Sequence, residues 1–178
     1  MDKHLPNHLQ SMLRVDQAGE YGAIRIYQGQ MDVMKRKGAD ISSFKEMQDQ
    51  EQEHLSTFNT LMIDHHVQPT ILTPLWHVGG YLLGAVTAAI SEKAAHACTI
   101  AVEEVIEEHY QKQIDELQHD PNPMAASLKS TFEKFQAEEV HHKHLAEENG
   151  GREAPLFPIL TRAIKTMSRA AIWASERV

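Results

Sequence analysis

Two stretches of this chain repeat one pattern: a stripe of apolar side chains interrupted at its centre by a glutamate and, three residues on, a histidine. The first stripe is Phe44, Met47, Glu51, His54, Phe58 and Leu61; the second is Leu128, Phe132, Phe135, Glu139, His142 and Ala146. The members recur every three or four residues, which places them on one face of an α-helix. An apolar face turns inward, so it carries its acid and its imidazole into the core. Two further stripes bring one central acid each: Leu13, Gln17, Glu20, Ile24, Tyr27, Met31, Met34, and Thr99, Glu103, Ile106, Tyr110, Gln113, Leu117. In chain order the pattern reads Glu, Glu-x-x-His, Glu, Glu-x-x-His. The lone and paired glutamates stand 31 and 36 residues apart. That is one helical hairpin each time, so the chain reads as two copies of one hairpin.

Burying four carboxylates in an apolar interior costs several kcal/mol each unless something compensates them. Two divalent cations bring four positive charges against four negative ones. A glutamate from each of two helices, with Glu-x-x-His from each of the other two, is the donor set of the di-iron and di-manganese carboxylate bundles. Oxygen-rich donors with one imidazole per ion are unlike the Cys/His tetrahedra of structural zinc. The expected metal donors are therefore Glu20, Glu51, His54, Glu103, Glu139 and His142, in an all-α, ferritin-like four-helix bundle.

Competing registers fall on more polar faces. Glu138 and His141 share theirs with Thr131 and Lys134, and Glu104 and Glu108 share theirs with Gln111 and Asp115. Glu107, one turn beyond Glu103, is the main rival in its helix. His109 and Tyr110 are candidates for a catalytic role beside the metal donors, against the plainer reading of a satisfied histidine and a core tyrosine. Tyr27 has the same ambiguity, and Asp16 is placed to accept an imidazole N–H. Cys98 reads as a small core residue.

Helix punctuation sets the outline. The first helix runs from about Leu9 to Lys37 and stops at Gly38. Ser43 and Glu46 have capping-box spacing for the second, which reaches about His65. Thr73-Pro74 opens a third segment, followed by a long helix from about Glu92 to His119. Asn122-Pro123 opens a fifth, closed by Gly150-Gly151, and a last helix follows Pro158 to the C-terminus. Four long helices and two shorter apolar ones are expected over residues 1–178, read as one domain. No period-two strand pattern competes.

Two segments point toward a lipid surface. Residues 67–91 carry no formal charge, but Pro69, Pro74 and the glycines leave a helix too short to span comfortably. Its Gly80-x-x-x-Gly84 spacing permits close helix contact. A buried core helix and an interfacial one are both open readings. The last segment, 159–178, has four basic residues against one acid and carries Trp173, which suits an anionic membrane face. The chain as a whole has a net charge of −8 with 6% aromatic residues, which argues against nucleic acid as a partner. Its single cysteine excludes an internal disulfide. Met1-Asp2-Lys3-His4 begins without the apolar or Arg-rich character of a targeting segment.

At several of these residues the chain resembles the demethoxyubiquinone hydroxylase family of ubiquinone biosynthesis. The likeness is carried by Arg14-Val-Asp16-Gln-Ala-Gly19-Glu20-Tyr-Gly22-Ala, Asp49-Gln-Glu51-Gln-Glu53-His54-Leu, Pro74-Leu75-Trp76, Ala97-Cys98-Thr99-Ile-Ala-Val-Glu103-Glu104, His109-Tyr110, Glu138-Glu139-Val-His-His142 and Ser175-Glu176-Arg177. It runs in order from about Arg14 to the end. The resemblance implies two iron ions held by the same six residues, with His109 and Tyr110 beside them. It implies a monooxygenase that hydroxylates the ring of a polyprenyl demethoxyubiquinol with O2. It further implies peripheral association with the cytoplasmic face of a bacterial membrane, or with the matrix side of the mitochondrial inner membrane. A ubiquinone-synthesis complex or a lipid-binding partner protein would be its company. The donor set alone also permits a ferritin-like iron-storage or ferroxidase protein, a manganese catalase, or a non-enzymatic helical scaffold.

Overall fold

The computed structural model describes residues 5–178, which form six α-helices and, among the described residues, no strand. The reading of residues 1–4 lies outside the described residues. Helices α1 (Asn7–Lys37) and α2 (Ser42–Asp64) form one long hairpin, and α4 (Glu92–Leu117) and α5 (Ala125–Glu148) form the other. The shorter helices are α3 (Thr73–Ile90) and α6 (Phe157–Ser175), the latter preceded by a 3-10 turn at Gly151–Glu153. This is the ferritin-like bundle with two added helices. The core divides along the bundle axis. Leu9, Leu13, Phe58, Leu117, Leu128 and Phe132 pack at one end, and Tyr27, Met31, Met34, Phe44 and Met47 at the other. The central acids of all four stripes lie between these two apolar plugs.

Local chemistry explains where the helices stop and start. Gly38 ends α1 in the left-handed conformation at φ 70°, and the N–H groups of Gly38 and Ala39 close onto Lys35 and Met34 carbonyls at 3.1 Å. Lys37 reaches onward, donating to the Ala88 and Ala89 carbonyls at 2.6 and 2.9 Å, and so satisfies the end of α3. Ser91 is extended, and its hydroxyl accepts from Ala94 N–H at 3.0 Å, which separates α3 from α4. The expected capping box at Ser43 and Glu46 does not form. Asp40 takes that place, its carboxylate accepting from the Ser42 N–H and hydroxyl at 2.9 and 2.8 Å. Thr73 is the first residue of α3 rather than its cap, and donates to the Thr70 carbonyl.

Helix α3 is not a core helix. It buries only Gly84, Thr87 and Ala88, while Leu75, Val78, Leu82, Val86 and Ile90 are each more than half exposed. Its inner face lies backbone to backbone on α1: a Cβ added at Gly84 would stand 1.9 Å from the Ile26 carbonyl oxygen, and one at Gly29 2.2 Å from that of Tyr81. The close approach leaves no room for side chains in that seam, so the apolar ones of α3 are turned outward. No helix among the described residues is long and apolar enough to cross a membrane.

Helix α6 has the strongest amphipathic character, with Thr161 and Ile164 inward and Ile159, Met167 and Trp173 exposed. Its basic side is partly committed within the protein. Lys165 pairs with Glu104, and Arg169 pairs with Glu108 at 3.0 Å. Glu104 and Glu108 are therefore ion-paired rather than simply solvated, and with Arg177 paired to Glu176 at 3.2 Å three of the four basic residues are spoken for.

Candidate metal centre

The six expected donors come together, and each is at most 4% exposed. They form two overlapping groups whose donor atoms lie within 4.8 Å of one another: Glu20, Glu51, His54 and Glu139, and Glu51, Glu103, Glu139 and His142. The paired glutamates belong to both groups; the lone glutamates and the histidines belong to one each. Glu139 places one oxygen 3.1 Å from His54 Nδ1 and the other 3.0 Å from His142 Nδ1. Glu51 does the same at 3.6 and 3.3 Å. Glu20 approaches only His54, at 3.5 Å. Two carboxylates thus each reach toward both histidines, and each belongs to both groups that could hold an ion.

The outer side of the site is tied down by a second ring of hydrogen bonds. His54 donates from Nε2 to Glu138 and His142 donates from Nε2 to Gln50, both at 2.8 Å. A neutral imidazole with its proton on Nε2 has a bare lone pair on Nδ1, and both Nδ1 atoms face the centre. Tyr27 donates to Glu103 at 2.8 Å and Tyr110 to Glu20 at 2.5 Å. Such partners orient donors and fix the ring tautomer.

The fit to cations is visible in what the protein leaves unpaired. Both Glu51 oxygens, Glu139 Oε1 and His54 Nδ1 are buried with no hydrogen-bond partner. Buried polar atoms are ordinarily paired. Anionic oxygens and imidazole lone pairs crowded to about 3 Å repel unless protons or cations lie between them. Burial first, and then the charge of Glu51, pushes the Glu20 carboxyl well above the usual carboxylate range. Burial and then Glu139 do the same to Glu103. Four acids, two of them reluctant to ionise without help, fit a pair of divalent cations.

The comparisons decide the family. The model of the family described as "Ubiquinone biosynthesis protein COQ7" matches residues 7–175. The chain belongs to this family. It is 51% identical, over 93% of its length and 76% of the relative's, to a protein of Rhodospirillum rubrum named 3-demethoxyubiquinol 3-hydroxylase. It is 42% identical to the human NADPH-dependent 3-demethoxyubiquinone 3-hydroxylase, mitochondrial, over 94% of this chain and 76% of that one. The yeast 5-demethoxyubiquinone hydroxylase, mitochondrial, of Saccharomyces cerevisiae is 40% identical over 96% and 78%.

In this COQ7-family chain the rival acids are placed elsewhere. Glu107 pairs with Lys143 of α5, and the exposed His141 lies 3.9 Å from Glu46. Glu138 is neither a member of the six nor idle, because it holds the His54 ring. Gln50 and Glu138 were not expected from the stripes. The signal for them was present: each directly precedes a paired glutamate, and each holds the histidine of the other hairpin. Tyr110 touches one of the six. His109 does not; its Nε2 lies 3.0 Å from Asp16, the partner the sequence suggested for an imidazole. Cys98 is buried, and burial pushes its thiol up to about 12.

Proposed function

We propose that this protein is a di-iron monooxygenase that hydroxylates the ring of a polyprenyl demethoxyubiquinol with O2, in ubiquinone synthesis. The names of its relatives support the reaction. The observation that carries it in this chain is the pairing of the two-ion donor set with an apolar cavity. That cavity, of about 170 Å³, lies between α1, α3, α4 and α6, and its lining includes Gly22, Trp76, Gly80, Leu83 and Ala171. A smaller cavity beside it reaches Glu20, Glu51, Glu103 and Glu139, and the two share Val15, Gly19, Ala23, Val102, Ile106 and Ile172 as walls.

Bound iron would supply the binding and reduction of O2 that side chains cannot perform. The residues that would hold it are Glu20, Glu51, His54, Glu103, Glu139 and His142. Tyr27 and Tyr110 fix the orientation of the lone glutamates, and Gln50 and Glu138 that of the histidines. Small residues at Gly19, Gly22 and Ala23 leave space for a flat ring, while Val102 and Ile106 keep water from it. A polyprenyl tail leaves between α3 and α6, where exposed apolar side chains flank the opening.

Those same exposed faces support peripheral membrane association. Lys165 and Arg169 are already paired, so apolar contact rather than charge carries it. Bacterial and mitochondrial relatives fit either the cytoplasmic face of a bacterial membrane or the mitochondrial inner membrane. A ubiquinone-synthesis complex or lipid-binding partner has the same apolar surface available. The family match favours the hydroxylase over the ferritin-like iron-storage alternative.

The test is quinone profiling of cells lacking the protein. They are expected to accumulate demethoxyubiquinone and to lose it when the gene is restored. Normal ubiquinone with no demethoxy precursor overturns the reading. Iron-loaded purified protein is also expected to float with lipid vesicles in high salt; complete absence from the lipid fraction removes the membrane part.

A further inference from the structure

The apolar groove offers a quinol a way in, but it offers no way for a proton. Inserting one oxygen of O2 into a ring C–H bond and releasing the other as water consumes two electrons and two protons. A reduced nicotinamide supplies the electrons in the reaction named for the human relative. The protons have to reach a dry pocket whose walls toward α3 and α6 are mostly aliphatic and glycine residues.

A polar connection exists on another side. A surface cleft lies where the start of α1, the second half of α4 and the end of α6 meet. His109 lines both this cleft and the inner cavity that holds Glu20 and Tyr110. The other residue common to both is Val15, which carries no proton. The His109 side chain is 12% exposed, and Nε2 lies 3.0 Å from Oδ1 of Asp16, whose side chain is 1% exposed. Gln113 donates to the same oxygen at 3.0 Å. Asp16 lines the inner cavity, and its other oxygen, Oδ2, is buried without a partner.

We propose that His109 and Asp16 form the proton inlet of the site, carrying protons from the surface cleft to the inner cavity. The proton enters at His109 Nδ1, the Nε2 proton passes to Asp16 Oδ1, and rotation of the carboxyl group turns that O–H from the ring to the cavity, where it is released. Each transfer leaves the pair in its starting protonation state once the imidazole has turned. An imidazole is suited to this because one ring nitrogen can accept a proton while the other donates. Burial, opposed by His109 and Gln113, raises the Asp16 carboxyl above its ordinary range, which favours its brief protonation. Gln113 keeps the carboxylate aimed at the ring. The charged groups around His109 are Asp16 and His8 from α1, Lys112 and Glu116 from α4, and Glu176 and Arg177 beyond α6.

The proposal rests on the hydroxylase reading for its purpose, so its test has an arm that needs no quinol. Iron-loaded full-length protein is reduced with dithionite, and proton uptake is followed with a pH-indicator dye. His109→Gln, which preserves a donor toward Asp16 but cannot pass a proton through, is expected to slow uptake at least about tenfold. Iron content should stay at the level of the unaltered chain. In turnover with a short-tailed demethoxyubiquinol, kcat should fall by a similar factor with KM unchanged, and its pH profile should flatten. Added imidazole should restore much of the rate to His109→Ala. Uptake as fast as in the unaltered chain overturns the inlet. So does a slowing that tracks lost iron and ignores imidazole. A chain with His109-dependent uptake that hydroxylates no demethoxyquinol would instead remove the hydroxylase reading and leave the inlet standing.

Discussion

With two cations held as proposed, replacing Glu139 by alanine is expected to cost the protein both, whereas replacing Glu20 is expected to cost it one at most. The difference follows from how the carboxylates are shared. Glu139 stands about equally close to Nδ1 of both histidines, so it contributes to both donor groups. Removing it leaves each ion a donor short and leaves three carboxylates against four positive charges. Glu20 serves only the group that contains His54. Metal analysis of purified variants should therefore show near-zero occupancy for Glu139→Ala and about half for Glu20→Ala. Hydroxylation should fall more than about a hundredfold in the first, beyond the 10- to 100-fold typical of losing an outer partner. Glu138→Ala removes only such a partner of His54 and should weaken loading without abolishing it. Glu107→Ala, which breaks a pair with Lys143, should leave loading unchanged. A Glu139→Ala protein that keeps two ions and full turnover would dismantle the shared-bridge arrangement and the function built on it.

The convergence of the six donors was legible because two periodicities agree. The helical spacing puts each acid on an apolar face, and the repeat of the hairpin puts the four faces at one height. The same repeat also locates the tyrosines. Tyr27 and Tyr110 each stand seven residues after a lone glutamate, and each donates to the lone glutamate of the other hairpin. What stayed hidden depends on contacts far apart in sequence. Composition made α6 a free basic helix, but Lys165 and Arg169 find Glu104 and Glu108 across the bundle. The charge-free segment could equally have been covered by protein, because hydropathy records what a face prefers and not what lies against it. The seam in which Gly80 and Gly84 of α3 meet α1, and Gly29 of α1 meets α3, turns that face outward. The start of α2 differs because Asp40, ahead of Ser43, accepts from the N–H of Ser42, the first residue of the helix.

Removal of the metal should make the protein's stability fall with rising pH, and the gap between loaded and stripped protein should widen. In the metal-free fold the acids and imidazoles can relieve one another only by holding protons. Glu20 and Glu103 are pushed up by burial and by neighbouring carboxylates. Each keeps a proton in the fold that the unfolded chain has already lost, so its contribution is full below the ordinary carboxyl value and fades as pH rises through its folded value. Burial works against charge on His142, but the carboxylates of Glu139 and Glu51 beside it outweigh burial and raise the ring from 6.5 to about 11. Its contribution is full below 6.5 and is lost between there and about 11. His54 shifts in the same direction, with Glu139 and Glu20 outweighing burial. Glu51 runs the other way: Glu20 and the imidazoles of His142 and His54 beside it overcome burial and hold it low, so its contribution disappears only in acid. Between pH 6 and 9 the raised groups of the site still titrating pull stability down, by about 1.4 kcal/mol per pH unit for each proton, while His96, held low by burial, acts alike in loaded and stripped protein. Metal binding needs ionised carboxylates and neutral imidazoles, so it releases those protons and tightens as pH rises. At roughly 2–4 °C per kcal/mol for a chain of this size, the difference in Tm should grow by about ten degrees or more from pH 6 to 9. Thermal melts of iron-loaded and chelator-stripped protein at pH 6, 7.5 and 9 read it directly. A gap that is constant or shrinks would mean that the six side chains are not titrating against one another, and that no cation replaces their protons.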